Sequence, residues 1–246
     1  MPMPSFQLTV ATDYEAMSRA AACHLAEQIA REPDLLLCLA TGSSPKRIYQ
    51  LLAERCRNGL VSCDRLRTLK LDEWVGVAMD DPCTCESYLR EHFLGPLGIG
   101  RERYEGFVSN ATDPAAECGR IDQWLAEAGP IGLCVLGLGA NGHLGLNEPA
   151  ATLRSRAHVA QLSRSTLGHP MLTGTGRAPA YGLTLGMADI MHARQILLLV
   201  NGSHKAQPMR RLMGREISTD FPASMLWMHP SVVCLSDREA VSLATL

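Results

Sequence analysis

Apolar and polar positions along the 246-residue chain switch repeatedly between a period of two and a helical period. Phe6-Gln-Leu-Thr-Val10 alternates, as a strand does. The pattern turns helical from Thr12 to about Arg31, and Thr12 with Glu15 reads as a capping box. Asp34 to Ala40 is almost wholly apolar, which suits a strand buried on both faces. Thr41-Gly42-Ser43-Ser44-Pro45 follows, then a helix to about Asn58. Leu66 to Leu71 predicts a strand that ends at Asp72-Glu73, and Glu86 to Leu97 predicts a helix. Asp113 caps the next helix with Pro114 at its first position, and Ile121, Trp124, Leu125 and Ala128 mark its buried stripe. Further strands are expected at Ile131–Leu138, Ile196–Val200 and Val232–Leu235, with a helix after Gly202. Such alternation predicts an α/β fold, a Rossmann-like three-layer sandwich whose mainly parallel sheet is covered by helices on both faces. No repeat, low-complexity tract or linker divides the chain, so residues 1–246 are expected to form one domain. Gly168 to Ala180, rich in Gly, Pro and Thr, reads either as a loop over a site or as an ordinary surface loop.

Composition narrows the classes. A hydrophobic share of 46% with 20% charged residues fits a packed core and excludes disorder of the whole chain. A net charge of −2 offers no global attraction for nucleic acid or an anionic membrane. No apolar run approaches the roughly 18 residues of a membrane helix, and Met1-Pro-Met-Pro-Ser-Phe lacks the pattern of a signal peptide. Nine scattered cysteines, several inside apolar runs, suggest reduced thiols and a cytoplasmic protein. Cys83-Thr-Cys85 is the one close pair, a weak metal signal without a second pair. Neither a metal nor a cofactor is expected, and no cysteine is given a chemical role.

Ligands of open parallel sheets bind at the C-terminal ends of the strands, and three such ends carry unusual residues. Thr41 to Ser44 lies between a buried strand and a helix, where backbone N–H groups and the helix dipole suit a phosphate. The same residues also suit a capped turn. Asp72 and Glu73 are adjacent carboxylates that must point to opposite sides of a strand, so one faces a site as a general base and the other is free for a structural bond. The third is the run from Val135 to Pro149, where Gly137, Gly139 and Gly142 match G-x-G-x-x-G. A dinucleotide fingerprint needs a helix opening at its last glycine and an acidic residue about 20 positions on. Gly145, Asn147 and Pro149 interrupt any helix, and no acidic residue stands between Glu148 and Asp189. What remains is a glycine loop presenting Asn141, His143 and Glu148, an acid–base candidate.

Taken together, these segments resemble the glucosamine-6-phosphate deaminase and 6-phosphogluconolactonase superfamily, and most of all its galactosamine-6-phosphate isomerase/deaminase branch. The likeness covers Cys38–Pro45, Lys70-Leu-Asp-Glu-Trp-Val75, Cys134–Pro149, Gly182-Leu-Thr-Leu-Gly186 and Pro222-Ala-Ser-Met-Leu-Trp-Met-His229. It implies an enzyme that opens the ring of an amino-sugar 6-phosphate, moves a proton between C2 and C1, and releases ammonia. By position, Asp72 would be the base, His143 would assist ring opening, and Glu148 would orient it or relay to it. Thr41, Gly42, Ser43, Ser44 and Gly137 would bind substrate around the phosphate, with Lys205 supplying positive charge. The implied partner is a small-molecule amino-sugar phosphate, with no nucleic acid and no membrane. Relatives range from monomers to hexamers, which leaves a homo-oligomer open.

Three departures qualify the likeness. Asn141 stands where glucosamine enzymes usually carry Asp; its oxygen still accepts from an imidazole, and the galactosamine branch also resembles this chain in having Asn there. No Arg aligns cleanly with the phosphate-binding Arg of the glucosamine enzymes between Leu162 and Tyr181, where Arg164 and Arg177 are the candidates. Ala151, His158 and Ala160 replace the effector-binding residues of regulated members, so allostery of that type is not expected. The leading expectation is galactosamine 6-phosphate converted to tagatose 6-phosphate. The alternatives are a glucosamine-6-phosphate deaminase giving fructose 6-phosphate, a lactonase with His143 as base for water, and a non-catalytic sugar-phosphate sensor.

Overall fold

The computed structural model describes residues 5–168, 171–172 and 179–245. Its strands and helices begin with β1 (Phe6–Ala11), α1 (Tyr14–Arg31), β2 (Leu36–Leu39), α2 (Ser43–Arg57), β3 (Arg67–Lys70), β4 (Asp72–Trp74), α3 (Cys85–Leu89) and β5 (Tyr104–Glu105). The order continues with α4 (Pro114–Ala128), β6 (Leu133–Gly137), β7 (His158–Gln161), α5 (Arg164–Leu167), β8 (Tyr181–Thr184), α6 (Met187–Met191), β9 (Gln195–Val200), α7 (Ala206–Met213) and β10 (Val232–Asp237). Seven strands form one parallel sheet in the order β1-β10-β9-β6-β2-β3-β5. A second, antiparallel sheet runs β4-β8-β7.

Alternation along the strands divides the core into two layers. Leu37, Leu39, Leu133, Val135, Leu197 and Leu199 pack with Leu25 and Ile29 of α1, Ile48 and Leu52 of α2, and Leu89 of α3. Their neighbours Leu36, Cys38, Cys134, Leu136, Ile196 and Leu198 face the other way, onto Ile121 and Leu125 of α4, Ile190 of α6 and Met209 of α7. The sheet is therefore sandwiched between helices, as the wholly apolar strands required.

Several local expectations need correction. Asp13, not Thr12, caps α1: its carboxylate accepts from Ala16 N–H at 2.8 Å. The helix expected over 86–97 is α3 followed by a π turn over Arg90–Leu94. Gly95 N–H closes that turn on Arg90 O at 3.0 Å, and a Cβ at Gly95 would lie 2.8 Å from the same oxygen. The helix after Gly202 opens as a 3-10 turn over Ser203–Lys205 before α7. The second sheet was not anticipated at all. Most of Gly168–Ala180 lies outside the described residues. Among the described residues, no helix is long and apolar enough to cross a membrane, and no group of His, Cys, Asp and Glu is placed to hold a metal ion.

Candidate active site

From β2 the chain moves outward to β3 and β5, then returns across β2 to β6 and continues the opposite way to β9. The loops leaving β2 and β6 therefore diverge, and a crevice opens between them. The pocket there measures about 310 Å³. Thr41, Gly42, Ser43, Ser44, Asp72, Gly137, His143 and Lys205 all line it. Asn141 and Glu148 do not; they stand behind His143.

After β2, Gly42 takes φ +98° and turns the chain into α2 without any side-chain cap. The alternative of a self-capped turn is thereby overturned. Ser43 and Ser44 N–H find no partner among the described residues. Other groups fix the turn from outside: Tyr88 Oη donates to Gly42 O at 2.6 Å, and Tyr14 Oη to Ser43 O at 2.8 Å. Ser44 Oγ donates to Asn201 Oδ1 at 2.6 Å, which ties this turn to the loop after β9. Asp237 at the end of β10 accepts from Gly202 N–H at 2.9 Å through Oδ2. That loop presents Lys205, which has no carboxylate partner among the described residues. Burial lowers its amine pKa. A partly desolvated cation and free helix N–H groups lining one pocket are the features that favour an anion.

The loop after β6 is shaped by contact as much as by turn chemistry. A Cβ at Gly139 would lie 2.5 Å from the His143 ring, and one at Gly142, where φ is +89°, would lie 2.0 Å from the Phe221 ring. Ala223 N–H donates to Gly142 O at 2.9 Å, so the 3-10 segment Pro222–Met228 braces the loop from below. No helix opens at Gly142, in keeping with rejection of the dinucleotide fingerprint. His143 Nδ1 lies 2.8 Å from Asn141 Oδ1 and 3.6 Å from Glu148 Oε2. Asn141 Nδ2 in turn donates to Glu148 Oε2 at 2.7 Å. An amide oxygen can only accept, so Nδ1 carries the proton and Nε2 is left as the basic nitrogen. Burial alone would raise the Glu148 carboxyl, but His143, Thr166 and Asn141 outweigh it and hold it near 2. Glu148 is thus a fixed anion that stands against both Asn141 and the His143 imidazole.

Asp72 and Glu73 divide as the strand geometry required. Asp72 keeps an edge open to the pocket, while Glu73 is fully buried. Burial first, and then the charge of Glu73, push the Asp72 carboxyl up to about 7. The second sheet sets its direction: Asp72 pairs with Thr184, and Thr184 Oγ1 accepts from Leu146 N–H at 3.1 Å. Asn147 Nδ2 donates to Leu144 O and Leu185 O, both at 2.9 Å. The segment Gly182–Gly186 therefore locks the Asp72 strand to the His143 loop. Of the arginine candidates, Arg164 is exposed on α5 and does not line the pocket, although its neighbours Ser165 and Thr166 do, and Arg177 lies outside the described residues. Sequence reasoning missed Trp74, Cys85, Thr166 and His204 in the lining. Trp74 and His204 each sat beside a residue already singled out, which was the available signal.

A parallel sheet with a carboxylate, an imidazole and a lysine gathered at its switch point defines an α/β enzyme of the open-sheet class. The family described as glucosamine-6-phosphate isomerases/6-phosphogluconolactonase matches residues 12–234, and the chain belongs to that family. AgaI of Escherichia coli (strain K12) is 41% identical over 223 residues, covering 91% of this chain and 88% of that protein. Glucosamine-6-phosphate deaminase 1 of Bacillus subtilis (strain 168) is 37% identical over 232 residues, covering 94% and 96%. The structure of a monomeric glucosamine-6-phosphate deaminase superposes with a TM-score of 0.93 at 35% identity, over 97% of this chain and all (100%) of the other. The 6-phosphogluconolactonase of Trypanosoma brucei shares the fold, with a TM-score of 0.74 at 22% identity over 97% and 98% of the two chains.

Proposed function

We propose that this enzyme deaminates an amino-sugar 6-phosphate, with galactosamine 6-phosphate as substrate and tagatose 6-phosphate and ammonia as products. The observation that carries this reading is the pocket itself: Asp72 and His143 face the same space, with Lys205 and the start of α2 also lining it. The phosphate sits against Ser43 and Ser44 N–H and Lys205. His143 Nε2 takes the proton of the anomeric hydroxyl and returns it to the ring oxygen, which opens the ring. Asp72 then removes the C2 proton and delivers it to C1, while a proton passes from the amino group to O1, so C1 becomes a hydroxymethyl carbon and the C2–N bond an imine. Water adds to that imine and ammonia leaves, giving the ketose. One water is consumed for each ammonia released. A carboxyl that titrates near 7 suits both halves of the transfer, since it must accept and donate the same proton.

Two features support the galactosamine choice. Asn141 beside His143 matches that branch of the family, and so does the likeness of the linked motifs. The test is to incubate the purified chain with galactosamine 6-phosphate and glucosamine 6-phosphate side by side, measuring ammonia and ketose phosphate. Faster release from the galacto epimer is expected. Faster release from the gluco epimer would reassign the substrate, and no ammonia from either would overturn the deaminase reading.

A further inference from the structure

Cys85 belongs to the one close thiol pair in the sequence, and it lines the pocket beside Asp72. It is the first residue of α3, and its position is fixed from behind. Glu73 Oε1 accepts from Cys85 N–H at 2.9 Å and Trp74 N–H at 2.8 Å. Glu73 Oε2 accepts from Glu86 N–H at 2.9 Å and Lys70 Nζ at 2.8 Å. Lys70 also reaches Glu86 Oε2 at 3.0 Å, and Tyr104 Oη donates to the same oxygen at 2.5 Å. Lys70 and Glu73 are wholly buried, so moving any member would leave a charge without a partner. This clamp fixes the start of α3 against the strand that carries Asp72.

On the pocket side, Cys85 Sγ lies 3.7 Å from Asp72 Oδ1 and 3.4 Å from Thr41 Oγ1. An ionised Asp72 only accepts, so the thiol donates to it, and the Thr41 hydroxyl donates to the sulfur. We propose that Cys85 is a positioning residue: a relay from the Thr41 hydroxyl through the Cys85 thiol holds Asp72 Oδ1 and leaves Oδ2 to exchange the substrate proton. The proposal rests on the reading of Asp72 as the proton carrier.

Cys85 on α3 touches Asp72; the other titratable groups that interact electrostatically with it are Glu73 on β4, Lys70 on β3, Cys38 on β2 and Tyr49 on α2, and His143 lines the same pocket. Burial and Glu73 raise the Asp72 carboxyl, whereas the Cys85 thiol and Lys70 pull it down. Burial also pushes the Cys85 thiol well above its ordinary range, which keeps it S–H: a donor rather than a nucleophile.

Two substitutions give opposite signs. Cys85→Val fills the space and donates nothing; Cys85→Ser replaces a weak donor with a stronger one. The acid limb of kcat/KM should move up by about half a pH unit or more in the Val variant and down by a similar amount in the Ser variant. The same two shifts should appear in a carbon-13 titration of the Asp72 carboxyl in ligand-free protein, which needs no turnover. Opposite shifts support the relay; shifts in one direction, or none in either variant, overturn it. An Asp72→Asn variant that still released ammonia would remove Asp72 as the base, and the titration would still decide the hydrogen-bond relay itself.

Discussion

Asp72 and Glu73 have the same chemistry and adjacent positions, yet the fold gives them opposite tasks. Glu73 is surrounded by donors and serves as an anchor. Asp72 has one thiol donor, a neighbouring negative charge and little water, so its carboxyl titrates at about 7. That poise costs stability. A free Asp titrates at about 4, so between about 4 and 7 the folded chain binds a proton that the unfolded chain does not. This group's contribution to stability therefore falls as pH rises through that window and stays lost above it. Asp72→Asn removes the charge. Ammonia release should drop by about 10³-fold or more, while thermal unfolding at pH 8 should show a gain of about 2 kcal/mol that vanishes near pH 4. A variant that loses activity and stability together at pH 8 would contradict this account of Asp72.

At the scale of elements, the glycine loop after β6 shows why its pattern resembles a cofactor fingerprint without being one. Two of its glycines are demanded by rings, Gly139 by His143 and Gly142 by Phe221. Gly137, by contrast, has nothing within 4 Å of a Cβ. Gly142→Ala should therefore lose about 2 kcal/mol or more in urea unfolding, from steric clash and from its left-handed backbone. Gly137→Ala should stay within about 0.5 kcal/mol of the parent, and its effect should appear in KM because the residue lines the pocket. Equal destabilisation by both would mean that the loop is set by backbone propensity rather than by the rings.

At the scale of the whole molecule, a net charge of −2 coexists with a pocket lined by a lysine and a helix start. Lys205 and the start of α2 reach it from elements far apart in the chain, tied together by Ser44 and Asn201. Replacing Lys205 with Gln should raise KM, and the inhibition constant for inorganic phosphate, by about tenfold, in line with loss of one charge-assisted contact. The fall in kcat should be smaller. A loss confined to kcat would place Lys205 in the chemistry instead of in the proposed phosphate site.

Much of this was legible in the residues. The apolar runs at 36–39 and 133–137 identify central parallel strands, because a strand covered on both faces has no polar side to show. Asp113 with Pro114 marks a helix start by local chemistry alone. Thr41 to Ser44, Asp72 and His143 stand out at strand ends by their residue types, whereas Gly137 and Lys205 are singled out as binding residues only by the family resemblance. The second sheet could not be picked out, since β4, β7 and β8 are three or four residues long, and Asp72 of β4 meets Thr184 of β8 across more than 100 positions. Nor could the partners of Glu73, the contact of Glu148 with both Asn141 and His143, or the approach of Cys85 to Asp72. Periodicity records which face of an element is buried, because burial repeats with the element's own geometry. Which buried groups meet depends on strand order and on the desolvation that packing imposes. The sequence by itself determined the layered fold and the residue types at the strand ends; the tertiary structure decided which carboxylate faces the pocket, because only there do burial and neighbouring charge act on each one.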